Sequence, residues 1–386
     1  MHCGIRKNKT KRDLALIYSK TPCAAAAVYT QNLVKGAPNV VTAMNLRDGK
    51  AQAVICNSGN ANTCNADGEE KAVRMCEIIA ERLHIAPADV IVASTGVIGQ
   101  VLPIEPIEQG AGALVDALSE TGSSQAAEAI MTTDLILKEI AVEFAVGGKT
   151  VRIGGIAKGS GMIHPNMATM LGFLTTDAAI TPEMIQKALR RAVEVTFNMV
   201  SVDGDTSTND MVSLMASGAA GNPVIDGEGA DYESFCQALT FACRHLSREL
   251  ARDGEGATKL LVCRVAGAST YEDAKKASKS VICSSLLKAA MFGQDANWGR
   301  VLCALGYSGA DLSISRVNVS FVSAAGRVDV CRNGAGIEFS EDTAKTVLSE
   351  QEILIDVTVG DGPYTAEAYG CDLTYDYVKI NGDYRT

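Results

Sequence analysis

The sequence predicts a layered α/β fold, and three observations predict it. Short apolar runs of strand character alternate with longer amphipathic stretches, 47% of the 386 residues are hydrophobic, and neither a repeat nor a low-complexity linker breaks the pattern. A chain of this length and composition buries a large core as one large domain or two medium ones. Strand patterns occupy residues 13–18, 24–29, 52–56 and 90–93. Gly147-Gly148, both tolerant of positive φ, reads as the turn of a hairpin between 141–146 and 150–156. Further strands are expected at 211–216, 259–265, 317–322, 353–359 and 365–369, and helices at 69–83, 107–118, 182–197, 232–252, 271–292 and 341–348. Thr181 followed by Pro182 supplies an N-cap and first-turn pair for the third of these helices.

Composition excludes several classes of function. The formal net charge of −10 repels phosphate backbones, and no basic stripe interleaved with aromatics offsets it, so a nucleic-acid partner is not expected. No apolar run approaches the roughly 20 residues of a membrane helix. The basic residues 6–12 and the following LALIY imitate a signal peptide, but Ser19, Lys20 and Pro22 interrupt the apolar stretch too early, which favours the cytoplasm. The twelve cysteines are scattered through apolar contexts with no C-x-x-C pair, and His2, His84, His164 and His245 do not join them at zinc spacing. They read as buried thiols of a reducing compartment, with no metal and no cofactor.

Chemistry concentrates in residues 158–178, KGSGMIHPNMATMLGFLTTDA. Thr169 follows the small Ala168 in a turn rich in glycine and proline, just ahead of an apolar run, which is how a self-cleaving threonine would be presented. Scission between Ala168 and Thr169 by an N-to-O acyl shift and ester hydrolysis would leave Thr169 with a free α-amine. That amine, with a reference pKa near ~8, can serve as base for the adjacent hydroxyl. A threonine in such a segment is otherwise an ordinary strand or turn residue. Upstream, the strand at 90–93 runs into Ser94-Thr95-Gly96-Val97-Ile98-Gly99, where backbone N–H groups can converge on an anion or simply make a glycine turn. Lys158 is a cation able to hold a carboxylate, or a solvated surface lysine.

The segment around Thr169, and nearly the whole chain with it, resembles the ornithine acetyltransferase family of arginine biosynthesis, the bifunctional glutamate and ornithine N-acetyltransferases. The resemblance implies the layered α/β sandwich shared with self-processing aminopeptidases, and cleavage into an α chain of residues 1–168 and a β chain of 169–386. It implies Thr169 as nucleophile, Thr95 and Gly96 as the oxyanion hole, and Thr132, Lys158, Glu255, Asn381 and Thr386 as substrate contacts. Glu255, between Gly254 and Gly256, suits the free ammonium of ornithine, with Asp253 as a nearby alternative. The apolar and aromatic run 375–380 argues that the tail docks.

The implied reaction is a ping-pong transfer from N2-acetylornithine to glutamate, yielding ornithine and N-acetylglutamate, with acetyl-CoA as a further potential co-substrate. The implied assembly is an α2β2 heterotetramer. A self-processed aminopeptidase or amidase shares the nucleophile logic, and an uncleaved binding protein for acetylated amino acids is the non-enzyme alternative. Two features depart from the family pattern: the short start Met1-His2-Cys3-Gly4, and Gly382 where alanine is expected.

Other apparent motifs fail. Gly148-Lys149-Thr150 resembles a P-loop end, but Glu143 stands at the required first glycine. Residues 203–210 resemble a calcium loop, but Thr208 replaces the turn glycine and Leu214 the final glutamate, which leaves a hydrogen-bonded turn near the site. The polar run 57–63 and the stretch 292–300 are also family-like and carry no assigned role.

Overall fold

Two seven-stranded mixed sheets carry the fold, one in each of the two units into which the chain divides in the computed structural model, which describes residues 1–164 and 170–382. Among the described residues, the first unit comprises Met1–Asn198 and Asp205–Leu246; the second comprises Met199–Gly204 and residues 247–382.

The first sheet is built from β1 (Leu14–Tyr29), β2 (Lys50–Asn57), β3 (Val90–Ser94), β4 (Lys138–Val146), β5 (Lys149–Lys158) and β6 (Leu171–Thr176). After β7 (Val200–Ser201), which belongs to the second unit, β8 (Met211–Ala216) completes it in the order β3-β2-β1-β8-β6-β5-β4. β3 pairs in parallel with β2 and is buried along its whole length, which is why VIVAS reads as a continuous apolar run instead of an alternation. β1 shows the period-2 logic of a strand covered on both faces. Leu14 and Leu16 enter a core with Met75, Ile79 and Ile107, whereas Ala15, Ala25 and Ala27 enter the opposite core with Ile130 and Phe173. The expected hairpin is present, with Gly147 and Gly148 at φ 54° and 74°.

The expected strands 13–18 and 24–29 are one sixteen-residue strand. Its pairing with β2 shifts register between Tyr18 and Cys23, so the polar break at Ser19–Pro22 is an irregularity and not a turn. The helix expected at 182–197 is α5 of the set α1 (Ala37–Asn45), α2 (Gly68–Leu83), α3 (Glu105–Asp116), α4 (Ser123–Ile130) and α5 (Pro182–Glu194). Thr181 caps it as expected, accepting from Met184 N at 3.4 Å, and it ends at Glu194 ahead of a short 3₁₀ turn. α1 and α4 escaped the sequence reading. α1 has no side-chain cap and no acidic first turn, and α4 spans only eight residues. The chain passes from the first unit to the second within α6 (Ala230–Arg252).

The second sheet contains β9 (Leu260–Ala268), β10 (Asn318–Ser323), β11 (Gly326–Arg332), β12 (Ala335–Gly336), β13 (Glu352–Thr358) and β14 (Tyr364–Cys371), in the order β12-β11-β10-β13-β9-β14-β7. The single helix expected at 271–292 is two, α7 (Tyr271–Cys283) and α8 (Ser285–Phe292). Ser284 leaves the helical region at φ −69°, ψ 106°, and its side chain caps α8 by accepting from Leu287 N. α7 seats directly on β14, where a Cβ on Gly370 would lie 2.5 Å from Ile282 Cγ2. Three further helices complete the unit, α9 (Trp298–Gly306), α10 (Glu341–Leu348) and α11 (Tyr375–Asn381).

All twelve cysteines are free thiols, but not all are buried as expected: Cys64 and Cys303 are exposed and Cys3 and Cys283 half-buried. Cys64 sits in a loop at φ 61°, and Cys303 faces outward from α9. No helix among the described residues is long and apolar enough to cross a membrane.

Candidate active site

Within the first unit, β5 delivers Lys158 at its last position, 7% exposed, beside the end of β3. The Lys158 ammonium lies 3.5 Å from Thr95 Oγ1. The cation and the candidate oxyanion residue, 63 positions apart, are therefore neighbours, and the surface-lysine reading fails.

The loop that follows β3 is held by the polar run 57–63. Asn57 O accepts from Thr95 N at 2.9 Å, Asn57 Nδ2 donates to Ser94 Oγ at 2.7 Å, and Asn57 Oδ1 accepts from the N–H groups of Gly59 and Asn60. Asn60 bridges to Val97 and donates to Gln100 O. Gly96 adopts φ 132°, and a Cβ there would meet Asn60 N and Gly59 C at 2.7 Å, so only glycine fits. Because the Thr95 N–H is given to Asn57, the groups left for an anion are the Thr95 hydroxyl and the Gly96 N–H, which has no acceptor among the described residues. The loop thus offers an anion one side-chain donor and one backbone donor.

Two buried carboxyls flank Lys158. Asp134 Oδ1 accepts from Lys138 Nζ at 2.8 Å and from Gly159 N at 2.6 Å, and its Oδ2 accepts from Thr132 N at 2.9 Å. Burial alone would raise this carboxyl, but Lys158, Lys138 and these donors hold it well below the usual carboxylate range. Asp210 is 2% exposed and its Oδ2 has no hydrogen-bond partner. Burial pushes its carboxyl well up, against the pull of Lys158, the Ser207 and Thr30 hydroxyls and the Met170 N–H. Asp134 is paired with Lys138 and burial drives the Asp210 carboxyl toward its neutral form, so the Lys158 side chain stands between one compensated acid and one acid pushed away from ionisation.

In the second unit, Glu255 is 7% exposed and accepts from Asn381 Nδ2 at 2.7 Å. Its glycine neighbours allow the close approach expected of them. A Cβ on Gly254 would lie 2.7 Å from Cys371 Sγ, and one on Gly256 2.7 Å from Tyr377 N. The tail docks here as α11, whose cap Thr374 donates to Gly256 O at 2.7 Å. The aromatic run takes part as expected through Tyr375, whose ring meets Phe292 edge-on with centroids 5.7 Å apart, while Val378 stays exposed and polar contacts to residues 255–256 also hold the helix.

The structure thus joins Lys158 to Thr95, places Thr132 on the same carboxyl that faces Lys158, and pairs Glu255 with Asn381. Ala168, Thr169 and Thr386 lie outside the described residues. Sequence reasoning missed Asp134 and Lys138, and it noted the runs 57–63 and 203–210 without giving Asn57, Asn209 or Asp210 a role of their own. Their functional signal is burial of a polar side chain, which no local pattern displays.

The chain matches the ArgJ family over residues 1–386. Arginine biosynthesis bifunctional protein ArgJ 1 of Clostridium acetobutylicum is 50% identical over 384 residues, covering 99% of this chain and 94% of that protein. The ArgJ protein of Symbiobacterium thermophilum is 53% identical over 377 residues, 97% of this chain and 93% of that protein. Among solved structures, arginine biosynthesis bifunctional protein ArgJ of Bacillus halodurans aligns with a TM-score of 0.53 and 44% identity, over 99% of that chain and 55% of this one. With matches along its whole length, the chain belongs to the ArgJ family, acetyl-transferring enzymes of arginine biosynthesis.

Proposed function

We propose that the protein is a self-processed acetyltransferase that moves the acetyl group of N2-acetylornithine to glutamate through an acetyl ester on Thr169. The observation that carries this reading is the buried Lys158 ammonium set against the Thr95 hydroxyl and a loop that only glycine permits at residue 96. That arrangement combines a carboxylate anchor with oxyanion donors, the two elements that acyl transfer between amino acids requires.

In the first half-reaction Thr169 Oγ attacks the acetyl carbonyl and its proton passes to the α-amine. Thr95 and Gly96 donate to the carbonyl oxygen as it becomes an oxyanion. Collapse breaks the C–N bond, and the departing nitrogen of ornithine takes the proton held by the α-amine. Glutamate then enters with its carboxylate on Lys158, its neutral amine attacks the ester, and N-acetylglutamate leaves with Thr169 restored. Glu255, oriented by Asn381, supplies the acceptor for the free ammonium of ornithine. Free thiols throughout fit a reducing compartment such as the cytoplasm.

The denatured intact mass of the purified protein beside Thr169→Ala tests the reading. Two wild-type fragments meeting between Ala168 and Thr169, with one uncut mutant chain, are expected. A single uncut wild-type chain in folded protein that carries no acetyl group from donor to acceptor would overturn it.

A further inference from the structure

Asn209 is 5% exposed at the meeting point of three segments of the first unit. Its Nδ2 donates to Ser94 O at 2.9 Å and to Ala61 O at 2.5 Å; its Oδ1 accepts from the hydroxyls of Thr63 and Thr208, each at 2.6 Å. Both Nδ2 partners are carbonyls, which can only accept, so the amide has one workable orientation. There is no slack around it either: a Cβ on Gly36 would lie 2.7 Å from Nδ2.

Ser94 ends β3, and its carbonyl belongs to the peptide unit that leads into Thr95. Asn209 holds the oxygen of that peptide, and Asn57 O holds its N–H at 2.9 Å. The peptide plane is pinned on both sides. Its orientation sets where the Thr95 hydroxyl and the Gly96 N–H point.

We propose that Asn209 is a positioning residue for the anion-binding loop, fixing the Ser94–Thr95 peptide so that Thr95 and Gly96 aim at one point. The proposal rests on the reading of that loop as the oxyanion site. It adds a division of labour: the loop lies before the proposed cut and its clamp after it, so the second fragment completes an oxyanion hole whose donors belong to the first.

The test compares full-length wild type with Asn209→Asp, which keeps the size and the Oδ1 acceptor but sets an oxygen against two carbonyls. Acetyl transfer from N2-acetylornithine to glutamate is followed, with thermal melts to confirm folding. A fall in kcat of at least about tenfold with KM changed less than threefold is expected, because misaimed donors weaken the transition state and leave ground-state binding intact. A folded Asn209→Asp enzyme with kcat within twofold of wild type, or with only KM raised, overturns the proposal. If Asn209→Asp does not fold, Thr63→Val, which removes one bond orienting the amide, is expected to lower kcat about threefold, and an unchanged kcat there overturns it. Wild type that forms no N-acetylglutamate fails the functional reading instead, a separate outcome.

Discussion

Asp134 and Lys138 form an ion pair at 2.8 Å in which neither side chain reaches solvent. The carboxylate also anchors the N–H groups of Thr132 and Gly159, so one acid organises the loop before β4 and the turn after β5. Asp134→Ala takes from Lys138 its buried carboxylate partner and is expected to destabilise the fold by about 3–5 kcal/mol. Denaturant titration of the purified variant measures this. The carboxyl lies below its ordinary value, so its stabilisation is present above the ordinary carboxylate pKa and is lost as pH falls through and below it. Wild-type stability should accordingly drop on acidification more than that of Asp134→Asn.

Asp210 has the opposite sign. Its folded pKa is raised, so between the ordinary carboxylate pKa of about 4 and the folded value the unfolded chain binds fewer protons, and this group's contribution to stability falls as pH rises. Lys158 is the cation that acts on it. Asp210→Asn removes the titration while keeping shape. The variant should gain stability relative to wild type as pH is raised from about 4 toward neutrality; parallel pH profiles of melting temperature would show that Asp210 is ionised in the fold.

Glu255 offers a carboxylate already paired with Asn381 and seated among backbone atoms that admit only small neighbours. Glu255→Gln keeps the volume and removes the charge. A charge-assisted hydrogen bond to a primary ammonium is worth about 1.5–3 kcal/mol, so KM for N2-acetylornithine should rise roughly ten- to a hundredfold. Steady-state kinetics with the donor varied at fixed glutamate decide this; an unchanged KM would remove Glu255 from ornithine recognition.

The layered α/β class, the Gly147-Gly148 hairpin, the Thr181 cap and the strand at 90–93 were legible in the sequence alone, because each rests on contacts or backbone preferences within a few residues. The same local reading divided β1 at Ser19, where pairing with β2 carries the strand across an irregularity, and joined α7 to α8, where Ser284 switches from continuing one helix to capping the next. Only the tertiary structure decided the character of the charged residues. Lys158 meets Thr95 across 63 positions and Asn209 meets Ala61 across 148, separations that leave no periodic trace in the chain. Asp134 and Asp210 are the same residue type with carboxyls driven in opposite directions, one by two ammonium groups and backbone donors, the other by burial with an oxygen left unpartnered. What separates them is the environment that folding builds around each, and a sequence records the group without its surroundings.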